Sequence, residues 1–388
     1  MEDQPQENLP DFDISRALFI LQAPQDVVEP TEHASTFEKL LSTITSGSQS
    51  ENYKVFCSKT NTPIDADIAK KLDDSNAAEL ASLEAEISRN QEGFGDVEVK
   101  NALLNKASFF IRIGRKQEAI DTLEAAYKKT VGAGMKIDNL LTQARIGFFF
   151  SDTKLVRACI EKAEVELEKG GDWERKNRLH VYRGVLHLTI REFKTAAEYF
   201  IKTLATFTST ELLSFKEFVF YTVLTSMMAM DRTTVKTKVL NSPEVLSVIH
   251  EVIGLPEFLS SLYDSKYKDF FEAFLPVIKE ISRDRFLASH QRYFTRKLRC
   301  NAYNQFLTSY KSVTLETMAN SFGVSVEFIE CEICSFVAAG QLSCKIDAVA
   351  GVIESKVQDD KNDYYFRIIK QGDLMLNKLQ RLSKVIDM

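Results

Sequence analysis

The residues best placed to do chemistry are the cysteines of "FIECEICSFVAAGQLSCKID", Phe328 to Asp347, which hold Cys331, Cys334 and Cys344. A Cys-x-x-Cys pair serves two chemistries. A structural zinc needs four ligands converging tetrahedrally, and a redox couple usually sets its first thiol at a helix N-terminus, where the dipole lowers its pKa. Here no second Cys pair exists and the nearest histidine in sequence is His290. Cys331 falls well inside a helical pattern, so the pair reads as ordinary helix and core cysteines. Other chemistry is equally unsupported. "GGDWERKN" and "GAGMKID" miss the spacing of a phosphate-cradling loop, and there is no H-E-x-x-H or G-x-S-x-G. His180 and His187 lie two helical turns apart, too far for one metal on an unbroken helix. No enzyme and no cofactor is indicated.

The elements around the cysteines are more informative. "TLETMANSFGVS" puts Leu315, Met318, Ala319 and Phe322 on one helix face. Thr314 is its expected N-cap, and Gly323 sits where a tight turn is needed. Ser325 caps a second helix, buried through Val326, Ile329, Ile333, Phe336 and Val337, which Gly340 ends. "QLSCKID" then alternates, with Leu342, Cys344 and Ile346 on one face, and "AGVIESK" returns beside it. Helix, turn, helix and hairpin make a winged helix. Its second helix has no Lys or Arg between the two glycines, and Glu327, Glu330 and Glu332 on it would repel phosphates. The one basic cluster, "HQRYFTRKLR", mixes Arg292, Arg296, Lys297 and Arg299 with Tyr293 and Phe294. It suits RNA, or the solvated side of a helix whose apolar side carries Phe294 and Leu298.

The rest of the 388 residues is helical in character, with 27 Phe against 8 Pro and 15 Gly. A net charge of −6 gives no overall attraction to nucleic acid or anionic membranes. No apolar run approaches the roughly 20 residues of a membrane span, and the acidic start "MEDQPQENLPDFD" is unlike a secretory signal or transit peptide. Six scattered cysteines fit reduced thiols in a cytosolic or nuclear protein. Residues 1–64 read as poorly organised. Asp65 to Asn90 reads as a helix, and three related units follow: Phe109–Lys129, Arg145–Leu167 and Gly184–Phe207. Ile113, Phe150 and Ile190 align them at steps of 37 and 40 residues, close to tetratricopeptide-like helical pairs that stack into a solenoid. An ordinary helical domain is the alternative. Trp173, the only tryptophan, is expected as a buried anchor between pairs, after a helix stop at Gly170 and Gly171 and a cap at Asp172.

The C-terminal "DYYFRIIKQGDLMLNKLQRLSKVIDM" spaces Ile368, Gly372, Met375, Leu379, Leu382 and Ile386 alternately by four and three, a heptad-like seam for packing on other helices. The alternative is a helix folded back on its own domain.

"LEKGGDWERKNRLHVYRGV", "TLATFTSTELLSFKEFVFYTV" and "FGVSVEFIECEICSFVAAGQLSCKID" closely resemble a family of PCI-domain proteins of the 26S proteasome regulatory-particle lid, the non-ATPase subunits numbered seven in yeast nomenclature. The likeness runs from about Ala66 to Met388. It implies a mainly α fold: a right-handed TPR-like helical solenoid over 65–240, a PCI domain over 241–355 with its winged helix near 312–355, and a C-terminal helix over 356–388. It also implies a non-catalytic scaffold that supports lid assembly and ATP-dependent degradation of ubiquitinated proteins, in cytoplasm and nucleus. The implied partners are other lid PCI subunits, the lid deubiquitinase, the base ATPases and the core particle, with neither nucleic acid nor membrane. The expected interfaces are the winged-helix sheet (Leu342, Cys344, Ile346, Val352, Ile353) and the C-terminal seam (Ile368, Met375, Leu379, Leu382, Ile386). Trp173, Gly323 and Gly340 are expected as structural anchors. The PCI subunit of the signalosome and a nucleic-acid-binding winged helix are the competing readings.

Overall fold

A computed structural model describes residues 9–24, 28, 30–60, 62–93, 95–170, 172–355 and 360–386. Among these residues the chain is almost wholly helical. Three helices open it: α1 (Phe12–Gln22), α2 (Pro30–Ser46) and α3 (Ser50–Thr60). Helical pairs follow: α4 (Ala66–Gly93), α5 (Asp96–Ile113), α6 (Lys116–Lys129), α7 (Ala133–Phe149), α8 (Thr153–Glu168), α9 (Trp173–Ile190) and α10 (Phe193–Thr203). Then come α11 (Phe215–Ala229), α12 (Arg232–Val235), α13 (Pro243–Val248), α14 (Leu255–Asp264), α15 (Tyr267–Arg283) and α16 (Gln291–Thr308). The winged helix is β1 (Ser312–Thr314), α17 (Leu315–Phe322), α18 (Val326–Ala338), β2 (Cys344–Asp347) and β3 (Val352–Ser355), and α19 (Asp360–Ile386) ends the described chain. No described helix is long and apolar enough to cross a membrane.

Two compact units result. One holds Met1–Tyr263 with Ala273–Thr295, the other Asp264–Glu272 with Arg296–Met388. The cut differs from the expected boundary at 240/241, because most of residues 241–295 pack with the solenoid.

In the first unit the antiparallel pairs α5–α6, α7–α8 and α9–α10 are joined by tight turns at Gly114, Phe150–Asp152 and Arg191–Glu192. The aligned Ile113 and Ile190 end the first helices of their pairs, and Phe150 is the residue that follows the end of α7. Helices approach closely where a side chain is missing: a Cβ at Gly184 would lie 2.4 Å from the Phe200 ring. Polar groups also cross between pairs. Arg175 and Arg178 both reach Asp138, and Arg178 also holds Glu211 at 2.8 Å.

Among the described residues of the N-terminal segment three helices form and share a core, where the sequence reads as poorly organised. Ile14, Leu18 and Leu21 of α1 join Leu40, Ile44, Tyr53, Phe56 and Cys57 in one core that extends to Leu72 and Phe149. Its helices are short and its apolar residues sparse, so burial comes from tertiary contact rather than from a strong local period. Trp173 also departs from expectation: it is the first residue of α9 and 61% exposed, its backbone N–H held by Asp172 Oδ1 at 2.7 Å. As the first residue of α9 it has no preceding turn of its own helix for the side chain to lie over. Gly171, expected to help stop α8, lies outside the described residues.

The second unit is centred on aromatic rings. Phe322 packs on Tyr267, Phe271, Tyr303 and Phe306, with centroids 4.8 to 5.5 Å apart. Thr314 and Ser325 accept N–H groups from Thr317 and Phe328, capping α17 and α18 as the sequence predicts. Gly323 and Gly340 both sit in the left-handed region, φ 67° and 68°, where a Cβ is strained and the helices before them can stop. The sheet is antiparallel in order β1-β3-β2, with Ile353 facing both Val313 and Ile346. Sequence reading supplied the hairpin but not β1, three residues too short to show a period.

Candidate assembly interface

The winged helix presents its second helix in a form the sequence only half reveals. Glu327 lies on the exposed face of α18, but Glu332 is turned inward, accepting the Tyr303 hydroxyl and pairing with Arg299 Nη2 at 3.0 Å. Of three carboxylates read as facing outward, one therefore serves the core. Arg299 is spent on Glu332, and Arg296 reaches Ser335 at 3.3 Å with its guanidinium over the Phe336 ring. Two members of the basic cluster are thus tied to α18. Phe294 and Leu298 are fully buried, as the amphipathic-helix reading requires.

The thiols divide by element: Cys331 and Cys334 are exposed on α18, and Cys344 is buried on β2. Burial pushes the Cys344 thiol pKa up, away from the reactive thiolate. His180 and His187 both stack on the Tyr199 ring, with centroids at 5.4 and 5.7 Å.

The sheet residues named for an interface are mostly inside their own domain. Leu342, Cys344 and Ile353 are buried, and Ile346 and Val352 are half-buried. The buried side chains stabilise the wing, and Ile346 and Val352 keep part of their surface open. Among the described residues β1 and β2 each pair with a strand on one side only, so they form the edges of the sheet. The wing tip is also bare, with Val349 fully exposed beyond a turn that Asp347 caps.

The C-terminal helix is the opposite case. Every described side chain on α19 is exposed, Ile368, Met375, Leu379, Leu382 and Ile386 each by more than half. The helix does not fold back to bury its seam. Ile369 and Leu376 flank the seam and are equally bare, which widens the stripe to about 140° at 100° per residue. That exceeds the narrow a/d strip of a two-helix coiled coil. A second apolar row escaped sequence reading: Val97, Met135 and Trp173 are exposed at intervals of 38 residues, near the starts of α5, α7 and α9. Extending the repeat alignment to those helix starts would have found it.

Comparison with known proteins finds family models over three stretches of the chain from residue 65 onward and relatives over nearly its full length. The family model for 26S proteasome subunit RPN7 matches residues 65–238, the PCI domain model matches 275–357, and the model of the RPN7/PSMD6 C-terminal helix matches 365–386. The 26S proteasome non-ATPase regulatory subunit 6 homolog of Arabidopsis thaliana is 42% identical over 98% of this chain and 97% of its own length.

The chain belongs to the RPN7 family of 26S proteasome subunits.

The RPN7 subunit of Saccharomyces cerevisiae is 33% identical over 97% of this chain and 94% of its own. COP9 signalosome complex subunit 1b of Drosophila melanogaster is 21% identical, over 76% of this chain and 58% of its own. The bare α19 coincides with the segment that has a family model of its own, so in this RPN7-family chain the least self-satisfied surface is also a family feature.

Proposed function

We propose that this chain is a non-catalytic scaffold of the proteasome lid, joined to other lid subunits through the edges of its winged-helix sheet and through α19 in a shared helical bundle. The observation that carries this reading is the α19 stripe. A 27-residue helix with a wide apolar face and no buried described side chain is costly for an isolated chain and suited to partner helices. By this reading 65–240 acts as the solenoid and 241–355 as the PCI domain, and the chain works in cytoplasm and nucleus. It supports degradation of ubiquitinated proteins by positioning the deubiquitinase and docking on the base and core, without chemistry of its own. Affinity purification from native cells, followed by protein identification, tests this. Lid subunits and base ATPases are expected. Recovery of signalosome subunits without any lid subunit would overturn the proposal.

A further inference from the structure

The reach of α1 is longer than a terminal helix needs. Besides packing on α2 and α3, it sends Arg16 into an ion pair with Glu217, the residue that also closes the capping box of α11 by accepting the Ser214 N–H at 3.1 Å. One turn on, Tyr221 donates its hydroxyl to Asp284 at 2.8 Å. Asp284 opens the turn between α15 and α16, and its second oxygen accepts the Leu287 N–H at 3.2 Å. A cleft of about 530 Å³ lies here, lined by Arg16 and Ile20 of α1 together with Tyr221 and Asp284.

The same turn is held elsewhere in the first unit. Arg285 donates to Phe149 O and Ser151 Oγ at 2.5 and 2.7 Å, and His290 meets Thr189 O at 3.0 Å. Helix α2 adds a further tie, Glu32 to Arg283 at 2.8 Å across 251 positions of sequence.

We propose that α1 is a strap that fastens the α15–α16 turn into the solenoid, with Arg16 as its buckle on Glu217. Charge explains why strap and turn act together. Glu217 and Asp284 flank Tyr221, and Asp284 is half-buried. Arg16 is the cation α1 brings to both carboxylates. Arg283, the neighbouring cation, is already shared between Glu32 and Glu280. With α1 lifted away, the half-buried Asp284 carboxylate faces Glu217 without Arg16, and keeping it in place becomes more costly. The turn then loosens with the strap.

Hydrogen exchange on the isolated full chain tests this apart from any assembly role. In Arg16→Glu, amides of α1 and of residues 284–290 should both exchange at least tenfold faster, while those of α17 and α18 stay unchanged. The charge-swapped pair Arg16→Glu with Glu217→Arg should restore both. The milder Arg16→Gln should show the same paired effect at smaller size if Arg16→Glu unfolds the unit. Faster exchange in α1 with residues 284–290 unaltered in both single variants would overturn the proposal, and so would failure of the swapped pair to restore protection.

Discussion

Tyr303 donates its hydroxyl to Glu332 at 2.5 Å, deep between α16 and α18. The phenol is fully buried and the carboxylate also holds Arg299, so the winged helix is pinned to α16 by a charge-assisted bond. Burial, with Glu332 beside it, raises the Tyr303 pKa far above the usual phenol range, so the group stays a donor at all ordinary pH. Tyr303→Phe leaves Glu332 one partner short without creating a large cavity. Its cost should be about 1.5–3 kcal/mol, read by urea unfolding of the full chain. Glu332→Gln, which can still accept the hydroxyl, should cost less. Equal stability of wild type and Tyr303→Phe would show that this bond carries no weight.

The wing gives a graded comparison. Leu342 is 4% exposed whereas Ile346 is only half-buried. An aspartate at 342 must enter an apolar site without a partner, which costs several kcal/mol. At 346 the carboxylate can turn toward water. Leu342→Asp should therefore lower the unfolding midpoint of the second unit markedly more than Ile346→Asp. The reverse order, followed by near-UV circular dichroism on heating, would place the strand's buried face wrongly.

The sequence carried the elements whose signals are local. Capping residues Thr314 and Ser325, stops at Gly323 and Gly340, and the alternation of Leu342, Cys344 and Ile346 each depend on a few adjacent residues, and each stands where expected. What was not legible depends on distance in the chain. Glu332 looks like a surface carboxylate on a helical wheel because Tyr303 lies 29 positions away. The N-terminal helices look weak because their core is completed by Leu72 and Phe149. Trp173 was misjudged for the converse reason: its size argues for burial, but its place at a helix start leaves no neighbouring turn to cover it. The seam of α19 was legible as a period, while its exposure required the structure.

Burial drives the Asp284 carboxyl up to about 6, against the bonds from Tyr221 and Leu287 that favour its ionised form. The folded state thus holds a proton that the unfolded chain has already released near pH 4. Stability contributed at this group is highest below about pH 4, declines as pH rises to about 6, and stays at its lower level beyond. Asp284→Asn removes the titration while keeping an acceptor for the Tyr221 hydroxyl. Unfolding free energy measured between pH 4 and 7 should therefore fall less steeply in the variant than in the wild type. Parallel curves would exclude Asp284 as a source of that slope.

Helix α19 separates folding from assembly, because its apolar stripe touches nothing else in the chain that buries it. Met375→Asp with Leu379→Asp places two charges in the middle of the seam, on a helix whose side chains are already solvated. Exposed substitutions of this kind change stability by about 0.5 kcal/mol or less, so the melting curve of the isolated chain should barely move. In a bundle the same charges would be buried without partners, and central contacts of that kind are worth 2 kcal/mol or more each, a loss of roughly thirtyfold or more in affinity. Co-purification with lid subunits should fall accordingly, as it should on deleting residues 363–388. A destabilised but still incorporated variant would mean that the stripe folds onto its own chain in solution and that the assembly contact lies elsewhere, whereas an unshifted melting curve with lost incorporation assigns the stripe to a partner.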